Sequence, residues 1–276
     1  MIAGGIVLYN PDIDILKENI KSIYPQVDTL IIVDNNSIET KNVSEFIENY
    51  ENITFIKNNI NVGIAKALNQ IMEYAYMMNN EWVITLDQDT VCPSNIIEIY
   101  KKYIDLPKIA VITPRIIDRN DIHITYKDSL DYEKIDRFIT SASMNNTSVW
   151  KKVGRFDERM FIDFVDFEYA YRIIEYGYKA IRVNKVKVLH RLGDLQIKHI
   201  GKKKIHVGNH NPSRKYYYSR NAYYCHKKHR QLYSIKIFVM DIGKMIVKTL
   251  LYEKSRRYKL KNIILGLRDG ILMKID

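Results

Sequence analysis

Short apolar runs alternate with segments of helical periodicity along the first 113 residues. The apolar runs are rich in β-branched residues and are bounded by Asn, Asp or Pro, which is typical of strands buried on both faces of a sheet. They predict strands over residues 5–9, 29–33, 53–56, 82–86 and 109–113. The segments between them predict helices over residues 13–23, 43–50, 64–78 and 94–104. This alternation indicates an α/β fold with a mostly parallel sheet covered by helices on both faces.

The alternation ends after residue 113. Residues 115–136 are polar and of mixed charge, and we interpret them as a loop or a pair of short strands that could form a mobile lid. Beyond them the pattern predicts a strand over residues 138–144, a helix near Ser148, a strand over residues 183–189, and helices from about residue 213 to the end. We therefore predict a main α/β domain over residues 1–230 and a basic helical tail over residues 231–276.

The composition excludes several classes of protein. The 276 residues include only two cysteines, Cys92 and Cys225, too few for a disulfide framework and too far apart for a CxxC zinc site. The first residues lack the charged and apolar regions of a signal peptide. No apolar stretch reaches the roughly 18 residues that a membrane-spanning helix needs. We therefore expect a protein of the reducing cytoplasm.

Charge is distributed unevenly along the chain. Residues 179–276 carry 25 Lys and Arg against 5 Asp and Glu, which leaves 18 against 27 for residues 1–178. A basic region of this kind predicts a surface for an anionic partner such as phosphates, acidic lipid or nucleic acid. The alternative is that the charges only keep the protein soluble, but like charges gathered in one region repel each other unless something offsets them.

The tail combines this charge with helical amphipathicity. Between residues 235 and 251, one face of the predicted helix carries Phe238, Ile242, Met245, Ile246 and Leu250. A basic run follows, and then a second apolar stripe through Ile263, Ile264, Leu267 and Ile271. Such segments lie at the surface of membranes that contain anionic lipid. They also pack against their own domain or a second subunit, so both outcomes stay open.

Polar residues follow the predicted strands, at the edge where ligands bind in parallel sheets. They are Tyr9-Asn10, Asp34-Asn35-Asn36 and Asp87-Gln88-Asp89. No strand is followed by the glycine patterns of dinucleotide-binding or P-loop proteins. Asp87 and Asp89 predict a site for Mg²⁺ or Mn²⁺ with open positions for a diphosphate. The alternative is that Asp89 and Thr90 only cap a helix that begins near Pro93.

A second group of acids lies between residues 161 and 172. If this segment opens a helix, Asp163 and Asp166 share one face, whereas Glu168 and Arg172 form a structural pair four residues apart. Asp163 and Asp166 could simply complement the helix dipole. Their apolar surroundings favour a general base, because burial raises the proton affinity of a carboxylate.

These motifs, in this order, resemble those of the family 2 glycosyltransferases with a GT-A fold. The resemblance covers roughly residues 4–230 and rests on residues 7–11, 32–37, 61–69, 86–89 and 163–172. The form of residues 86–89, 161–168, 190–193 and 214–221 is similar to that of bacterial rhamnosyltransferases. The resemblance implies a Rossmann-like catalytic domain. It also implies transfer of L-rhamnose from dTDP-rhamnose to a lipid-linked or growing polysaccharide, with inversion at the anomeric carbon.

The resemblance also implies roles for individual residues. Nucleotide binding falls to Tyr9, Asn10, Asp34, Asn36, Asn61, Lys66 and Asp87. The metal ligands are Asp87, Asp89 and His190. Asp166 matches the catalytic base, and Asp163 and Arg220 the substrate-binding residues. The chain departs from the family where Val165 replaces an acid beside Asp166, and where Ala142 takes the place of a glycine, which puts the geometry of the acceptor site in doubt.

Two alternatives remain. A UDP-hexose donor is compatible with the same motifs, because Asp34 serves uracil and thymine alike. Tyrosines alternating with basic residues between positions 216 and 224 suit stacking on single-stranded nucleic acid. No recognised binding motif accompanies these tyrosines, and carboxylates at the strand ends would face the wrong partner. We therefore expect no nucleic-acid partner, and a protein peripheral to the cytoplasmic face of the cell membrane.

Overall fold

An eight-stranded sheet with helices packed against it confirms the predicted α/β fold. The computed structural model describes residues 1–48, 50–118, 130–190, 196–200 and 203–275. The strands of the sheet are β1 (Ile2–Leu8), β2 (Thr29–Asp34), β3 (Ile53–Lys57), β4 (Trp82–Asp87), β5 (Ile109–Asp118), β6 (Tyr132–Ile135), β7 (Ser143–Asn146) and β8 (Lys179–His190). The helices around it are α1 (Ile13–Ile23), α2 (Thr40–Ile47), α3 (Ile64–Met77), α4 (Ile96–Lys101), α5 (Thr147–Lys152) and α6 (Val165–Glu175).

The sheet is mostly parallel, as predicted. Its strand order is β3-β2-β1-β4-β7-β5-β8-β6, and β7 and β6 run antiparallel to their neighbours. All seven residues of β1 are buried, which explains why its sequence is apolar without alternation. Gly5 lets α3 pack closely on this strand, because a Cβ atom at Gly5 would lie 2.3 Å from the side chain of Ile71.

Three segments differ from the sequence prediction. The strand expected over residues 138–144 is β7, which begins only at Ser143 because Ala142 has a left-handed backbone, φ 56°. Within residues 115–136, β5 extends to Asp118 and β6 forms a strand, while residues 119–129 lie outside the described part of the chain. Between residues 189 and 213, where the sequence pattern predicts no helix or strand, the structure has a hairpin of β9 (Gln196–Ile200) and β10 (Lys203–Val207).

Contacts group the chain into two compact units, one of residues 1–159 and 169–191 and the other of residues 160–168 and 192–276. The second unit contains the hairpin and α7 (Pro212–Lys228), α8 (Ile235–Tyr252) and α9 (Arg256–Leu272). Helix α7 therefore groups with the tail helices, although the sequence suggested a boundary at residue 230.

Helices α7 and α9 approach each other through small residues. A Cβ atom at Gly266 would lie 2.2 Å from Ser219 Oγ and 2.3 Å from the carbonyl oxygen of Tyr216. Gly270 is in similarly close contact with the carbonyl oxygen of Arg220. The hydroxyl of Ser219 donates to the carbonyl oxygen of Ile263 at 3.0 Å. The buried face of α9 therefore includes two glycines. Of the predicted stripe, Ile263 is buried there, whereas Ile264 and Ile271 are exposed.

A buried group of charges links the ends of these helices. Glu253 accepts hydrogen bonds from Lys215 Nζ at 2.7 Å and from Lys259 Nζ at 2.9 Å, and all three residues are buried. Burial opposes the charge of Glu253, but hydrogen bonds from the two lysines outweigh it and lower its pKa. For Lys215 burial is the larger effect and lowers the pKa despite the bond to Glu253.

Helix α8 has apolar residues on two faces. Phe238 and Ile242 are buried, as the sequence predicts, but Leu250 of the same predicted stripe is 42% exposed. It belongs to a second, solvent-facing apolar surface that also contains Val239, Met240, Val247 and Leu251. None of the helices in the described part of the chain is long and apolar enough to span a membrane.

Candidate active site

The carboxyl ends of the central strands lie side by side at one edge of the sheet. In the parallel register, Leu8 of β1 pairs with Asp34 of β2, and Val7 pairs with Asp87 of β4. Most of the residues predicted to bind nucleotide and metal follow these strands. The fold therefore brings them together, as expected for the ligand edge of a parallel sheet, whereas their binding roles stay predictions.

Asp34 organises the turn after β2. Its side chain is fully buried, and its carboxylate accepts hydrogen bonds from the hydroxyls of Ser37 and Thr40, both at 2.5 Å. The backbone amide of Ser37 donates to the same carboxylate at 3.1 Å. Asn36, inside this turn, is exposed and has a left-handed backbone, φ 68°. The carboxylate of Asp34 thus shapes the turn that presents Asn36 to solvent.

The loop after β1 is fixed by this turn and by β4. The backbone amide of Asn10 donates to Ser37 Oγ at 2.8 Å, and Asn10 Oδ1 accepts from the amide of Ile38 at 2.9 Å. The amide of Tyr9 donates to Gln88 Oε1 at 2.9 Å, while the Tyr9 side chain is 51% exposed. The residue between the two predicted metal-binding aspartates therefore joins two strand ends, a role that no sequence motif indicated.

An amide network holds the segment that leads into α3. Asn35 Nδ2 donates to Asn61 Oδ1 at 2.9 Å, and Asn35 Oδ1 accepts from the amide of Val62 at 2.9 Å. Asn61 Oδ1 also accepts from the amide of Gly63 at 3.0 Å, where φ is 83°. Asn61 therefore stabilises the loop through hydrogen bonds within it. Lys66, in the first turn of α3, is exposed.

Asp87 and Asp89 are half-buried in the turn after β4. The carbonyl oxygen of Asp87 accepts from Asn19 Nδ2 at 2.8 Å and from the amide of Thr90 at 3.1 Å, which fixes the turn. The alternative that Asp89 caps the next helix is wrong, because α4 begins at Ile96 and Asn95 occupies its N-cap position.

The metal site at Asp87 and Asp89 stays a prediction that rests on the chemistry of the two side chains. Half-buried carboxylate oxygens at a fixed turn are suitable ligands for Mg²⁺ or Mn²⁺, which need only one or two of them beside phosphate and water. No group of three His, Cys, Asp or Glu side chains in the described ranges is arranged to hold a metal. The third predicted ligand, His190, ends β8, but its side chain lies outside the described part of the chain.

The second group of acids lies at the start of α6. The sequence suggested that Asp163 and Asp166 share one helix face, but the helix begins only at Val165. Asp163 precedes it with φ 64°, and Phe164 follows with φ 68°, so the shared face is wrong. Asp166 lies in the first turn, where its Oδ1 accepts from the amide of Phe167 at 2.9 Å.

Asp163 and Glu168 belong to the second unit, and both pair with basic residues of that same unit. Arg214 Nη2 lies 3.1 Å from Asp163 Oδ1, and Arg214 Nε is 3.2 Å from each oxygen. Glu168 is fully buried and accepts from Lys228 Nζ at 2.8 Å. The same arginine also affects His210. Burial is the main cause that lowers the pKa of His210, and the positive charge of Arg214 is the second. The imidazole is therefore largely neutral near pH 7.

Arg220 lies on tyrosines of its own helix. Its guanidinium carbon is 4.9 Å from the ring centre of Tyr217 and 5.8 Å from that of Tyr216. Arg220 Nε donates to Asn221 Oδ1 at 3.0 Å. These contacts fix its orientation, and its predicted substrate contact stays a prediction.

Known proteins resemble this chain in sequence and in structure. Residues 5–162, more than half of the chain, match the model of glycosyl transferase family 2. The dTDP-rhamnosyl transferase RfbF of Shigella flexneri is 30% identical over 98% of this chain and 95% of its own length. Among solved structures, GalNAc-T7 with UDP, GalNAc and Mn²⁺ has a TM-score of 0.67 at 12% identity, covering 98% of this chain and 56% of that chain.

Two other solved structures share the fold. The mannosyltransferase PcManGT from Pyrobaculum calidifontis, in complex with GDP-Man and Mn²⁺, has a TM-score of 0.61 at 16% identity, covering 99% of this chain and 76% of that chain. S. aureus TarS 1–349 in complex with UDP-GlcNAc has a TM-score of 0.62 at 15% identity, covering 98% of this chain and 80% of that chain. At these identities the likeness concerns the fold, the GT-A fold that the sequence motifs suggested.

Proposed function

The chain belongs to glycosyl transferase family 2 and is a glycosyltransferase, and on that premise we propose that it transfers L-rhamnose from dTDP-rhamnose. The acceptor in this proposal is a hydroxyl of a lipid-linked or growing surface polysaccharide. The observation that carries the choice of donor is the likeness to a dTDP-rhamnosyl transferase along nearly the whole of both chains. A UDP-hexose donor is the alternative that the experiment below separates.

The donor would bind at the carboxyl edge of the sheet. Asn36 and the Tyr9 ring are exposed there and would contact the nucleoside, while Asp34 holds the turn and Lys66 offers a positive charge. Asp87 and Asp89 would hold Mg²⁺ or Mn²⁺, in keeping with the Mn²⁺ of two proteins of the same fold. A bound divalent cation stabilises negative charge on a departing diphosphate.

The reaction would be a direct displacement. Asp166 accepts the proton of the acceptor hydroxyl, whose oxygen bonds to the anomeric carbon as the bond from that carbon to the diphosphate oxygen breaks. The nucleoside diphosphate leaves with the electron pair of the broken bond, and the sugar is inverted. General base catalysis typically contributes 10² to 10⁴ in rate, so loss of the base should be easy to measure.

The test measures release of nucleoside diphosphate from a panel of dTDP- and UDP-sugars, with a saccharide acceptor and Mn²⁺ or Mg²⁺. We expect dTDP-rhamnose to give the highest kcat/KM. We also expect Asp166→Asn to lower turnover at least about a hundredfold with nearly unchanged donor affinity, and the exposed control Asp105→Asn to behave like wild type. A preferred UDP-hexose would overturn the donor, and normal turnover of Asp166→Asn would overturn the base.

We further propose that the protein binds the cytoplasmic face of the membrane, where a lipid-linked acceptor would be found. The outer face of α8 supports this, because Met240, Val247 and Leu251 are 47%, 52% and 57% exposed beside Lys244. In α9, exposed Ile264 and Ile271 accompany exposed basic residues, Arg257, Lys261 and Arg268. Apolar side chains among cations fit a surface of anionic lipid.

The membrane proposal is tested by sedimentation with phosphatidylcholine vesicles that contain or lack phosphatidylglycerol. We expect the protein to sediment only with the anionic vesicles. Changing Met240, Val247 and Leu251 together to Gln should abolish binding. Changing Met77 and Met78 to Gln, which are 62% and 53% exposed at the end of α3, should not. A dimer that the triple change dissociates, with no vesicle binding, would assign this face to a second copy instead.

A further inference from the structure

The turn before Asp166 is held in a rarely adopted backbone conformation. Asp163 and Phe164 are consecutive non-glycine residues in the left-handed region, with φ of 64° and 68°. This conformation is unfavourable for residues that have a Cβ atom, and it persists only where the surroundings hold it. Because helix α6 begins at the next residue, this turn sets the direction in which the helix, and with it Asp166, leaves the loop.

One face of α7 holds this turn. Arg214, Asn221 and Lys228 are spaced seven residues apart, about two helical turns, and therefore project from the same side. Arg214 pairs with the carboxylate of Asp163, and Lys228 pairs with Glu168 inside α6. Between them Asn221 contacts the backbone of the turn itself. The three side chains thus bind the segment on both sides of Asp166.

Asn221 donates two hydrogen bonds to the backbone of the turn. Its Nδ2 donates to the carbonyl oxygens of Ile162 and Asp163, both at 2.8 Å, and its side chain is fully buried. Its Oδ1 accepts from Arg220 Nε, which fixes the orientation of the amide. An amide nitrogen carries two donors, whereas a serine hydroxyl has one and an ionised carboxylate none.

We infer that Asn221 is a positioning residue for catalysis, which directs Asp166 by holding the turn of residues 162–164. The inference rests on the proposed role of Asp166. Asn221 itself contacts the loop backbone, and its effect on the reaction passes through the orientation of α6. The preceding Arg220, which the sequence suggested as a substrate-binding residue, also fixes the orientation of the Asn221 amide.

The first test is the Asn221→Ser variant of the full chain. We expect kcat to fall at least tenfold while KM for the donor stays within twofold, because the nucleotide-binding turns are not changed. The matched control is Asn262→Ser, since Asn262 is also in a helix but donates only to the carbonyl oxygen of Tyr258 in the same helix. An Asn221→Ser variant with normal kcat would overturn the inference.

A double-mutant cycle separates positioning from a general loss of stability. If Asn221 acts through Asp166, adding Asn221→Ser to Asp166→Asn should lower the residual turnover by less than twofold. A second tenfold loss in the double variant would overturn the inference and leave the role of Asp166 intact. If Asp166→Asn alone has normal turnover, the proposed base is wrong, which is a different result.

A second variant keeps the test decisive if Asn221→Ser does not fold. Arg214 is 41% exposed, so Arg214→Gln removes a contact to the same turn without opening a buried space. We expect it to lower kcat at least threefold and to show the same lack of additivity with Asp166→Asn. Full additivity of these two changes would show that the α7 face does not act through Asp166.

Discussion

Because α7 and α9 approach each other closely, replacing a glycine of α9 by alanine should change the stability of the protein in an unusual direction. Replacing an interior glycine by alanine normally stabilises a helix by about 0.8–1.0 kcal/mol. For Gly266→Ala we expect the opposite sign. The new Cβ atom would lie 2.3 Å from the carbonyl oxygen of Tyr216 and 2.2 Å from Ser219 Oγ. The serine side chain can rotate, but the carbonyl oxygen belongs to the backbone of α7 and moves only with the helix.

The magnitude follows from these contacts. Overpacking a tight interface costs typically about 1–3 kcal/mol. Rotation of Ser219 also disturbs a hydroxyl that lies within hydrogen-bond distance of the carbonyl oxygens of Lys215, Tyr216 and Ile263, at a cost of up to roughly 1 kcal/mol. Subtracting the gain in helix propensity leaves a net loss of about 1–3 kcal/mol for Gly266→Ala. Gly243→Ala in α8 is the matched control, because nothing lies within 4 Å of its Cβ position. We expect it to stabilise the protein by up to about 1 kcal/mol.

The free energy of unfolding would be measured by urea denaturation followed by circular dichroism, with hydrogen exchange in α7 and α9 to localise the effect. Gly266→Ala should lower the urea midpoint and speed exchange in both helices, and Gly243→Ala should raise the midpoint. Equal stabilisation by the two changes would refute the packing argument. Because α7 holds the turn before Asp166, Gly266→Ala should also reduce turnover more than Gly243→Ala does.

Three further predictions concern single sites. Asp89→Ala should weaken donor affinity in Mn²⁺ and leave affinity in chelator unchanged, as measured by calorimetry; equal affinity of the wild type with and without metal would contradict the metal site. Ala142→Gly should raise the unfolding free energy by up to about 1 kcal/mol by relieving the left-handed alanine, whereas Ala67→Gly in α3 should lower it. Glu253→Gln should cost about 3–5 kcal/mol, because it leaves two buried lysines without a counter-charge. The exposed Glu98→Gln should cost at most about 1 kcal/mol. Since the folded pKa of Glu253 is lowered, its contribution should be present above its ordinary pKa and disappear as the pH falls through the lowered value.

The order of elements in the sheet could be predicted because its signal is local. Each central strand is a continuous apolar run, and the helices between them carry a clear apolar face, so strands and helices were found within a few residues of their bounds. The start of β7 could not be found this way. It depends on the left-handed backbone of Ala142, which lies between two serines in a segment, residues 138–144, that the sequence pattern predicts as one continuous strand.

The residues at the strand ends could be predicted because parallel topology places them at one edge of the sheet. The sequence did not predict which of them fix the loops by hydrogen bonds. Gln88, Asn35 and Ser37 fix the loops through hydrogen bonds to residues 23 to 79 positions away. Spacing in the sequence carries no information on such contacts. A burial pattern would have helped with Asp34, because a fully buried carboxylate needs donors, and Ser37 and Thr40 supply them.

Asp163 and Asp166 are separated by only three positions, but their backbone conformations and contacts differ. A helix over both would have put their carboxylates on one face, but the left-handed turn at Asp163 and Phe164 removes Asp163 from the helix. There its carboxylate pairs with Arg214 and is only 14% exposed, so a substrate hydroxyl would have to compete with a guanidinium for it. Asp166 lies within the helix, where its backbone direction is set by the turn that Asn221 holds. The contact of Asp163 with Arg214 therefore supports our proposal that Asp166, and not Asp163, accepts the proton of the acceptor hydroxyl.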